Sequence, residues 1–397
     1  MGVESMRILI IQPWLSYRGA ETVSLAFADG MKRLGHDPIM AAVYVDEGRA
    51  ARSTQDIPIF TPAAPLCLLC RSHPLIFLAL APGLLFILVM RLSRDVDVLN
   101  AHNPPSLLIA ALVGWIKGIP VIWTCHSLPV SVKWSRRVSL LDFLAKLLAG
   151  SSLERWAVKR AAIVIANSRR TARQLRTMYA VDSHIEYPPL GDVPWRSSRT
   201  ANYARRASRI IVASHFDARK NQAGAIAAFS RVRDVIPHAE LILAGDGPLA
   251  SILEDLVSKE RLEDCVSFPG YVPSEKLCLI YEASQVALMP AFNEPWGLTP
   301  FEALAAGCVP IVSSQSGAAE VIREKEIGFV CDPHPEAMAD AIIEALLNKE
   351  RSQQMVRQGR KYLLEALTVD GYSRACEAVF NKSVLRHSKS KIALSGS

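Results

Sequence analysis

Residues 210–244, IIVASHFDARKNQAGAIAAFSRVRDVIPHAELILA, decide how the chain is built. Ile210–Ala213 is continuously apolar, Gln222–Val235 has the apolar spacing of a helix, and Glu240–Ala244 is apolar again. Strand, helix and strand in that order form one crossover unit of a parallel sheet. Strands that lack polar alternation belong to sheets covered on both faces. The alternation continues through a helix at Leu249–Lys259 and strands at Val266–Pro269, Val286–Met289 and Val309–Ser313.

Upstream, the same pattern runs a first time. Arg7–Gln12 (RILIIQ) reads as a buried strand. Glu21–Leu34 reads as a helix with Val23, Phe27, Met31 and Leu34 on one face, closed by Gly35. Further strands are expected at Pro38–Val43, Val96–Asn100, Val121–Thr124 and Ala162–Ala166. The Pro-, Ser- and Arg-rich text around Tyr187–Arg209 reads as a linker. These elements predict an α/β chain of two Rossmann-like, doubly wound parallel-sheet domains, residues 1–190 and 208–370, facing a central cleft. Residues 371–386 are expected to form a helix that packs back on the first domain, and 387–397 a disordered tail.

Composition narrows the function. Of 397 residues 50% are apolar and 21% charged, which excludes a disordered or fibrous chain. A core of that size needs no disulfides, so the eight cysteines read as reduced thiols of a cytoplasmic protein. Cys67-Leu-Leu-Cys70 has metal spacing but no second pair, so no metal site is expected there. The formal charge of +7 lies wholly in residues 1–195, where 21 Lys/Arg face 14 Asp/Glu. Sparse aromatics and the lack of a recognised module argue against nucleic acid. An anionic membrane surface or a phosphorylated substrate suits the charge better. Pro74–Met90 (PLIFLALAPGLLFILVM) carries no charge, is interrupted by Pro82-Gly83, and is flanked by Arg71, Arg91 and Arg94. It is expected to lie at a lipid interface, with a buried helix as the alternative and a membrane span least favoured. No long apolar run opens the chain, so no secretory signal is expected.

The chemistry concentrates in Pro290–Gly307, PAFNEPWGLTPFEALAAG. Thr299-Pro300-Phe301-Glu302 has the pattern of a capping box, with a Thr cap, a Pro at the first helical position and Glu three residues on. Amides converging on such a helix start suit a phosphate oxygen. Glu294 and Glu302 are eight positions apart, and carboxylates are natural acceptors for vicinal sugar or ribose hydroxyls. By spacing alone, Glu302 as capping partner and Glu294 as a solvated loop acid are equally good readings. Taken singly, Lys220 reads as an exposed lysine and His126 as a loop residue. Asp95-Val-Asp97 has the form of a metal-binding Asp-x-Asp, but stands at the start of an apolar strand, the wrong end for a ligand.

The Glu294-x7-Glu302 spacing, with Gly297-Leu298 and Ala305-Ala306-Gly307, resembles the signature of glycosyltransferase family 4, a retaining family of GT-B fold. The likeness covers nearly the whole chain. Val212–Asn221 is similar to the family's Gly-Arg…Lys loop, Ala244–Leu249 to its Gly-x-Gly-Pro turn, and Phe268–Tyr271 follows in order. In the first half, Arg18-Gly-Ala-Glu21 and Thr124-Cys-His126 are similar to the family's glycine loop and active-site histidine, and His102, just past Val96–Asn100, resembles another cleft position of the family.

The resemblance implies a hexosyl transfer from a nucleotide-sugar to a hydroxyl. GDP-mannose is favoured over UDP-sugars, because Tyr187-Pro-Pro189 and Ala218–Asn221 look like segments of family mannosyltransferases. It implies that Glu294 binds donor-sugar hydroxyls and Glu302 the ribose. Lys220, with the amides of Gly297, Leu298 and Thr299, would neutralise the diphosphate. Gly19 would allow a close approach of its loop, and His126 would meet the sugar near its anomeric centre. Asp246, Gly270 and Tyr271 would line the base pocket. His215 stands where the family has Arg, and Arg219 is the candidate for the missing charge. Such a clamp implies neither metal nor cofactor. With the basic first half and the apolar segment, the acceptor is expected to be a lipid-linked glycan of polysaccharide or glycoconjugate synthesis, met at the cytoplasmic face of a membrane. The alternatives are a nucleotide-sugar 2-epimerase and a catalytically degenerate scaffold.

Overall fold

The apolar runs of the first half become parallel strands, and their carboxyl ends carry the polar residues. The computed structural model describes residues 5–15, 19–45, 57–63, 74–128, 151–191, 203 and 206–395. Cys67, Cys70, Arg18 and Arg71 lie outside the described residues. The chain divides into two units, Met1–Gly191 with Val369–Ser397, and Asp192–Thr368.

In the first unit the elements run β1 (Arg7–Ile11), β2 (Trp14–Leu15), α1 (Gly19–Arg33), β3 (Asp37–Ala41), β4 (Tyr44–Val45), β5 (Ile59–Phe60) and α2 (Pro74–Leu92). They continue with β6 (Val98–His102), α3 (Pro104–Lys117), β7 (Val121–Cys125), α4 (Ser152–Arg160), β8 (Ile163–Ala166), α5 (Arg169–Tyr179) and β9 (His184–Ile185). The sheet order is β5-β3-β1-β6-β7-β8-β9, all parallel. Leu9, Ile11, Leu99 and Trp123 form one core with Ala81, Leu85 and Val89 of α2 and with residues of α3 and α4. One face of α2 is thus core, while Leu80 and Ile87 on the other stay 40% and 49% exposed. Among the described residues no helix is long and apolar enough to cross a membrane.

Strand β6 starts two residues later than expected. Asp97 Oδ2 accepts the Arg7 amide at 2.7 Å, so this acid pins the amino edge of the sheet. The Asp-x-Asp motif therefore has a structural task, and His102 becomes the last residue of β6.

The last helix of the chain, running from Val369 to Ser395, packs on α1. Phe27 meets Phe380 at 5.4 Å, Arg33 pairs with Asp370 at 3.2 Å, and His36 Nε2 lies 2.9 Å from a Glu377 oxygen. Residues 387–395, expected to be disordered, are helical. No Gly or Pro stands between Gly371 and Gly396 to stop the helix.

The second unit runs β10 (Ala207–Ala213), α6 (Gln222–Val235), β11 (Glu240–Ala244), α7 (Ala250–Lys259), β12 (Val266–Gly270), α8 (Ser274–Ala283) and β13 (Ser284–Met289). Then come α9 (Thr299–Ala305), β14 (Val309–Ser313), α10 (Ala318–Glu324), β15 (Phe329–Cys331), α11 (Pro335–Leu347) and α12 (Lys349–Ala366), leaving the terminal helix as α13. Its parallel sheet has the order β12-β11-β10-β13-β14-β15. The order reverses between β10 and β13, and the crevice at such a reversal is where ligands bind in open α/β sheets. The buried Arg206 guanidinium donates to the carbonyls of Tyr281, Ser284 and Ala306, tying the carboxyl ends of α8 and α9 together.

Candidate active site

The loops after β10 and β13 meet at that crevice. Asp217 accepts the amides of Arg219 and Lys220 at 2.8 and 3.1 Å and so caps the short 3-10 turn Ala218–Lys220. Asn221 follows with φ 55°, a conformation Asn tolerates better than most residues. Its Nδ2 donates to the carbonyls of Pro290 and Pro333 at 3.1 and 3.0 Å, and the Phe292 amide donates to Arg219 O at 2.7 Å. These bonds stitch residues far apart in sequence into one rim. The result is an ion pair, Lys220 Nζ to Glu294 Oε2 at 2.6 Å. Burial pushes the Glu294 carboxyl up, but Lys220 and then Arg219 outweigh it and hold the group below its ordinary value. Neither the exposed lysine nor the solvated acid of the single-residue readings is found.

Helix α9 begins differently from the expected capping box. Leu298 is the N-cap with helical φ −82° and ψ −34°, Thr299 is inside the helix, and no side chain caps it. The Phe301 and Glu302 amides donate to Leu298 O at 2.9 and 3.0 Å. Trp296 fixes this start, stacking on Phe301 at 4.9 Å while its carbonyl accepts the Ala318 amide at 3.0 Å. Gly297 has φ 97°, and a Cβ there would lie 2.5 Å from Met289 Sδ. The amides of Gly297, Leu298 and Thr299 donate to no described residue. They are the donors a helix start leaves over for water or an anion.

Glu302 is not a capping partner. Its carboxyl makes no hydrogen bond or ion pair to a described residue, and burial pushes it up to about 7. Two acids of equal standing by spacing are thus opposite in state: Glu294 is an ionised, paired carboxylate, and Glu302 is balanced between acid and carboxylate at neutral pH.

The expected base-pocket residues gather at the ends of β11 and β12. His215 Nδ1 lies 3.3 Å from Asp246 Oδ1, and the Gly245 amide donates to Gly270 O at 2.8 Å. Gln222 holds this segment by donating to His215 O at 2.8 Å and Ser214 Oγ at 2.9 Å. At Gly247 a Cβ would lie 2.5 Å from Phe216 O, so the turn Asp246–Gly247 closes directly on the loop of His215. Tyr271 beside it is 52% exposed.

Gly19 and His126 belong to the first unit. Gly19 is the first residue of α1. His126 directly follows β7, is buried, and lies with its Nε2 2.7 Å from Nδ1 of the buried His102. Asn100 Oδ1 is 2.6 Å from His102 Nε2, and Asn167 Nδ2 donates to His126 O at 2.7 Å. Sequence reasoning missed Asn100, Asn167, Asp217 and Arg206. For Asn100 the signal was present, a polar residue between apolar Val98-Leu99 and Ala101.

Residues 17–191 match the model of Glycosyltransferase Family 4, and residues 200–362 match that of Glycosyl transferases group 1. The chain is a glycosyltransferase of the family 4 type. It is 23% identical over 444 aligned residues to the alpha-1,3/1,6-mannosyltransferase ALG2 of Rhizomucor pusillus, covering 96% of this chain and 92% of that one. It is 28% identical over 162 residues to the GDP-mannose-dependent alpha-(1-6)-phosphatidylinositol monomannoside mannosyltransferase of Mycobacterium tuberculosis. That match takes in 39% of this chain and 42%, less than half, of the relative. Anabaena Alr3699/HepE, solved in complex with UDP and glucose, superposes with a TM-score of 0.75 at 16% identity, over 95% of this chain and all of that one. With two parallel-sheet α/β units, this glycosyltransferase has the GT-B fold.

Proposed function

We propose that this glycosyltransferase moves a hexosyl residue from a nucleotide-sugar to a hydroxyl of a lipid-linked glycan, with retention at the anomeric carbon. One observation carries the donor reading: Lys220 paired with Glu294 in the same crevice as three amides that donate to no described residue. A diphosphate takes the place of Glu294 at Lys220 and draws the amides of Gly297, Leu298 and Thr299. Glu294, released, accepts from sugar hydroxyls, and Glu302 accepts from the ribose. In the reaction the bond from the anomeric carbon to the diphosphate oxygen breaks, and its electron pair stays with the phosphate. The acceptor oxygen bonds to that carbon on the same face, and its proton passes to the departing phosphate oxygen. Charge grows on the leaving group, so preorganised donors at Lys220, Arg219 and the three amides supply the stabilisation. This route calls for no metal ion, so chelation is expected to leave turnover unchanged.

The name of the Mycobacterium tuberculosis relative supports GDP-mannose as donor, that of the Rhizomucor pusillus relative supports a mannosyl donor, and the neighbour bound to UDP and glucose makes UDP-glucose the competitor. A thermal-shift panel of nucleoside diphosphates and their sugars tests this, because a ligand that binds only the folded state raises its melting temperature. Guanine nucleotides are expected to stabilise most. Stabilisation by uridine nucleotides alone reassigns the donor. An inverted anomeric configuration in the product, read by NMR, rejects retention.

The surface formed by α2, α3 and α4 supports the lipid acceptor. Trp115 and Ile116 are 59% and 51% exposed on α3, and Leu80, Ile87 and Leu153 are exposed on the adjacent helices. Arg160 lies over the Trp115 and Trp156 rings at 5.5 and 5.2 Å. Arg91, Arg94, Arg155 and Lys159 add exposed positive charge. Apolar side chains bordered by cations fit an anionic bilayer.

A further inference from the structure

Asn100, His102 and Thr124 interrupt otherwise apolar strands at the centre of the first unit's sheet, and all three are buried. Buried polar groups persist only when satisfied. Here their hydrogen bonds leave one consistent arrangement. Asn100 Nδ2 faces Ile122 O at 3.3 Å and Thr124 Oγ1 at 3.0 Å. A carbonyl only accepts, so this edge of the amide is its NH2 and the opposite edge, Oδ1, is an acceptor. Oδ1 lies 2.6 Å from His102 Nε2, which therefore carries a proton. Burial, and then His126, lower the His102 pKa well below its ordinary value, and burial lowers that of His126 to about 4. Both rings are neutral at pH 7. A neutral His102 protonated on Nε2 has its lone pair on Nδ1, and Nδ1 lies 2.7 Å from His126 Nε2. His126 must donate there, which leaves its own lone pair on Nδ1. That Nδ1 has no hydrogen bond to a described residue.

The backbone of His126 is gripped as well. Asn167 Nδ2 donates to His126 O, and Thr171 Oγ1 donates to Asn167 Oδ1 at 2.6 Å. The His102 carbonyl accepts from Ser106 Oγ, and the next residue, Asn103, has φ 72° and ψ 150°, a region non-glycine residues seldom occupy. The turn that carries His102 is held in place by its surroundings.

We propose that His102, oriented by Asn100, is a positioning residue that locks His126 in the Nε2–H tautomer, so that His126 Nδ1 accepts a hydrogen bond from a hydroxyl of the bound sugar. The inference rests on the reading of His126 as a sugar contact. It also accounts for the buried, neutral setting of the ring. An imidazolium beside a carbon that gains positive charge would oppose the transition state, whereas a neutral ring presenting a lone pair does not.

Long-range proton–nitrogen NMR of the 15N-histidine-labelled full chain at pH 7 tests the tautomer without any substitution. His102 and His126 are expected to be neutral, each protonated on Nε2, with both Nδ1 atoms at the shift of an unprotonated ring nitrogen. A His126 protonated on Nδ1, or on both nitrogens, overturns the proposal. His102→Leu removes the acceptor and is expected to lower kcat about tenfold to a hundredfold, with a mixed His126 tautomer. His102→Asn, which returns an acceptor close to the position of Nδ1, restores most of it. Full turnover in a natively folded His102→Leu, while His126→Ala is impaired, overturns the positioning role and keeps the sugar contact. Unchanged turnover in His126→Ala overturns the sugar contact itself, and with it the acceptor role of Nδ1.

Discussion

Each unit holds a close polar pair at the carboxyl edge of its parallel sheet, and the two pairs are opposite in kind. Lys220 and Glu294 are 2.6 Å apart and charged, whereas His102 and His126 are 2.7 Å apart and neutral. The charged pair has something to give away. Its cation suits a phosphate oxygen and its carboxylate suits hydroxyls, so a nucleotide-sugar can part the two without leaving either charge unpaired. The neutral pair releases nothing on binding. Its value is a fixed direction for one lone pair. Exchangeable charge and rigid neutrality are two ways to satisfy buried polar groups, and the comparison sets how each should respond to mutation and pH.

The largest effect is expected at the charged pair. Lys220→Ala should lower kcat by about 10²–10³, the scale seen when a preorganised donor to a developing anion is lost. It also strands Glu294, so melting should show a loss of about 3 kcal/mol near pH 7. The sign with pH follows from the depressed Glu294 pKa. The stability this carboxylate contributes is present above its unfolded value and lost as pH falls through its lower folded value. The gap in melting temperature between wild type and Glu294→Gln should therefore close on acidification, and a gap that widens breaks the comparison.

The outer surface comes next. Trp115→Ser with Ile116→Ser should weaken binding to vesicles rich in anionic lipid by about tenfold or more, read by co-sedimentation, while nucleotide affinity stays unchanged. Deleting residues 75–90 is the poorer test, because Ala81, Leu85 and Val89 belong to the core.

A smaller effect sharpens the contrast between the two glutamates. With its carboxyl pushed up to about 7, Glu302 should make nucleoside diphosphate affinity fall about tenfold from pH 8 to pH 6, as the accepting carboxylate is protonated. Calorimetry on Glu302→Gln should show a flat profile. The sign for folding is opposite to that of Glu294. A raised carboxyl favours the folded state below its unfolded pKa, and that advantage is lost as pH rises to about 7. Glu302→Gln should thus gain on the order of 2 kcal/mol over wild type above pH 7 and little near pH 4.

The architecture was legible because long apolar runs and helical spacing repeat twice, and parallel sheets buried on both faces write themselves that way. Boundaries were less so. The start of β6 moved because one side chain, Asp97, captures the Arg7 amide, and the start of α9 moved because Trp296 is anchored to Ala318. The candidate site was legible as a set of residue types but not as states. Spacing treats Glu294 and Glu302 alike, and their difference is set by Lys220, which Asp217 and Asn221 hold in place through contacts up to 112 residues apart. Arg206 was invisible because a buried guanidinium that ties helix ends together looks, in sequence, like one more charge in a basic linker.

A structure of the full chain with its nucleotide-sugar tests the central claim most directly. The diphosphate is expected within hydrogen-bond reach of Lys220 Nζ and the amides of residues 297–299, with Glu294 turned to the sugar and Glu302 to the ribose. A nucleotide seated elsewhere, with the Lys220–Glu294 pair undisturbed and those amides unused, would contradict it.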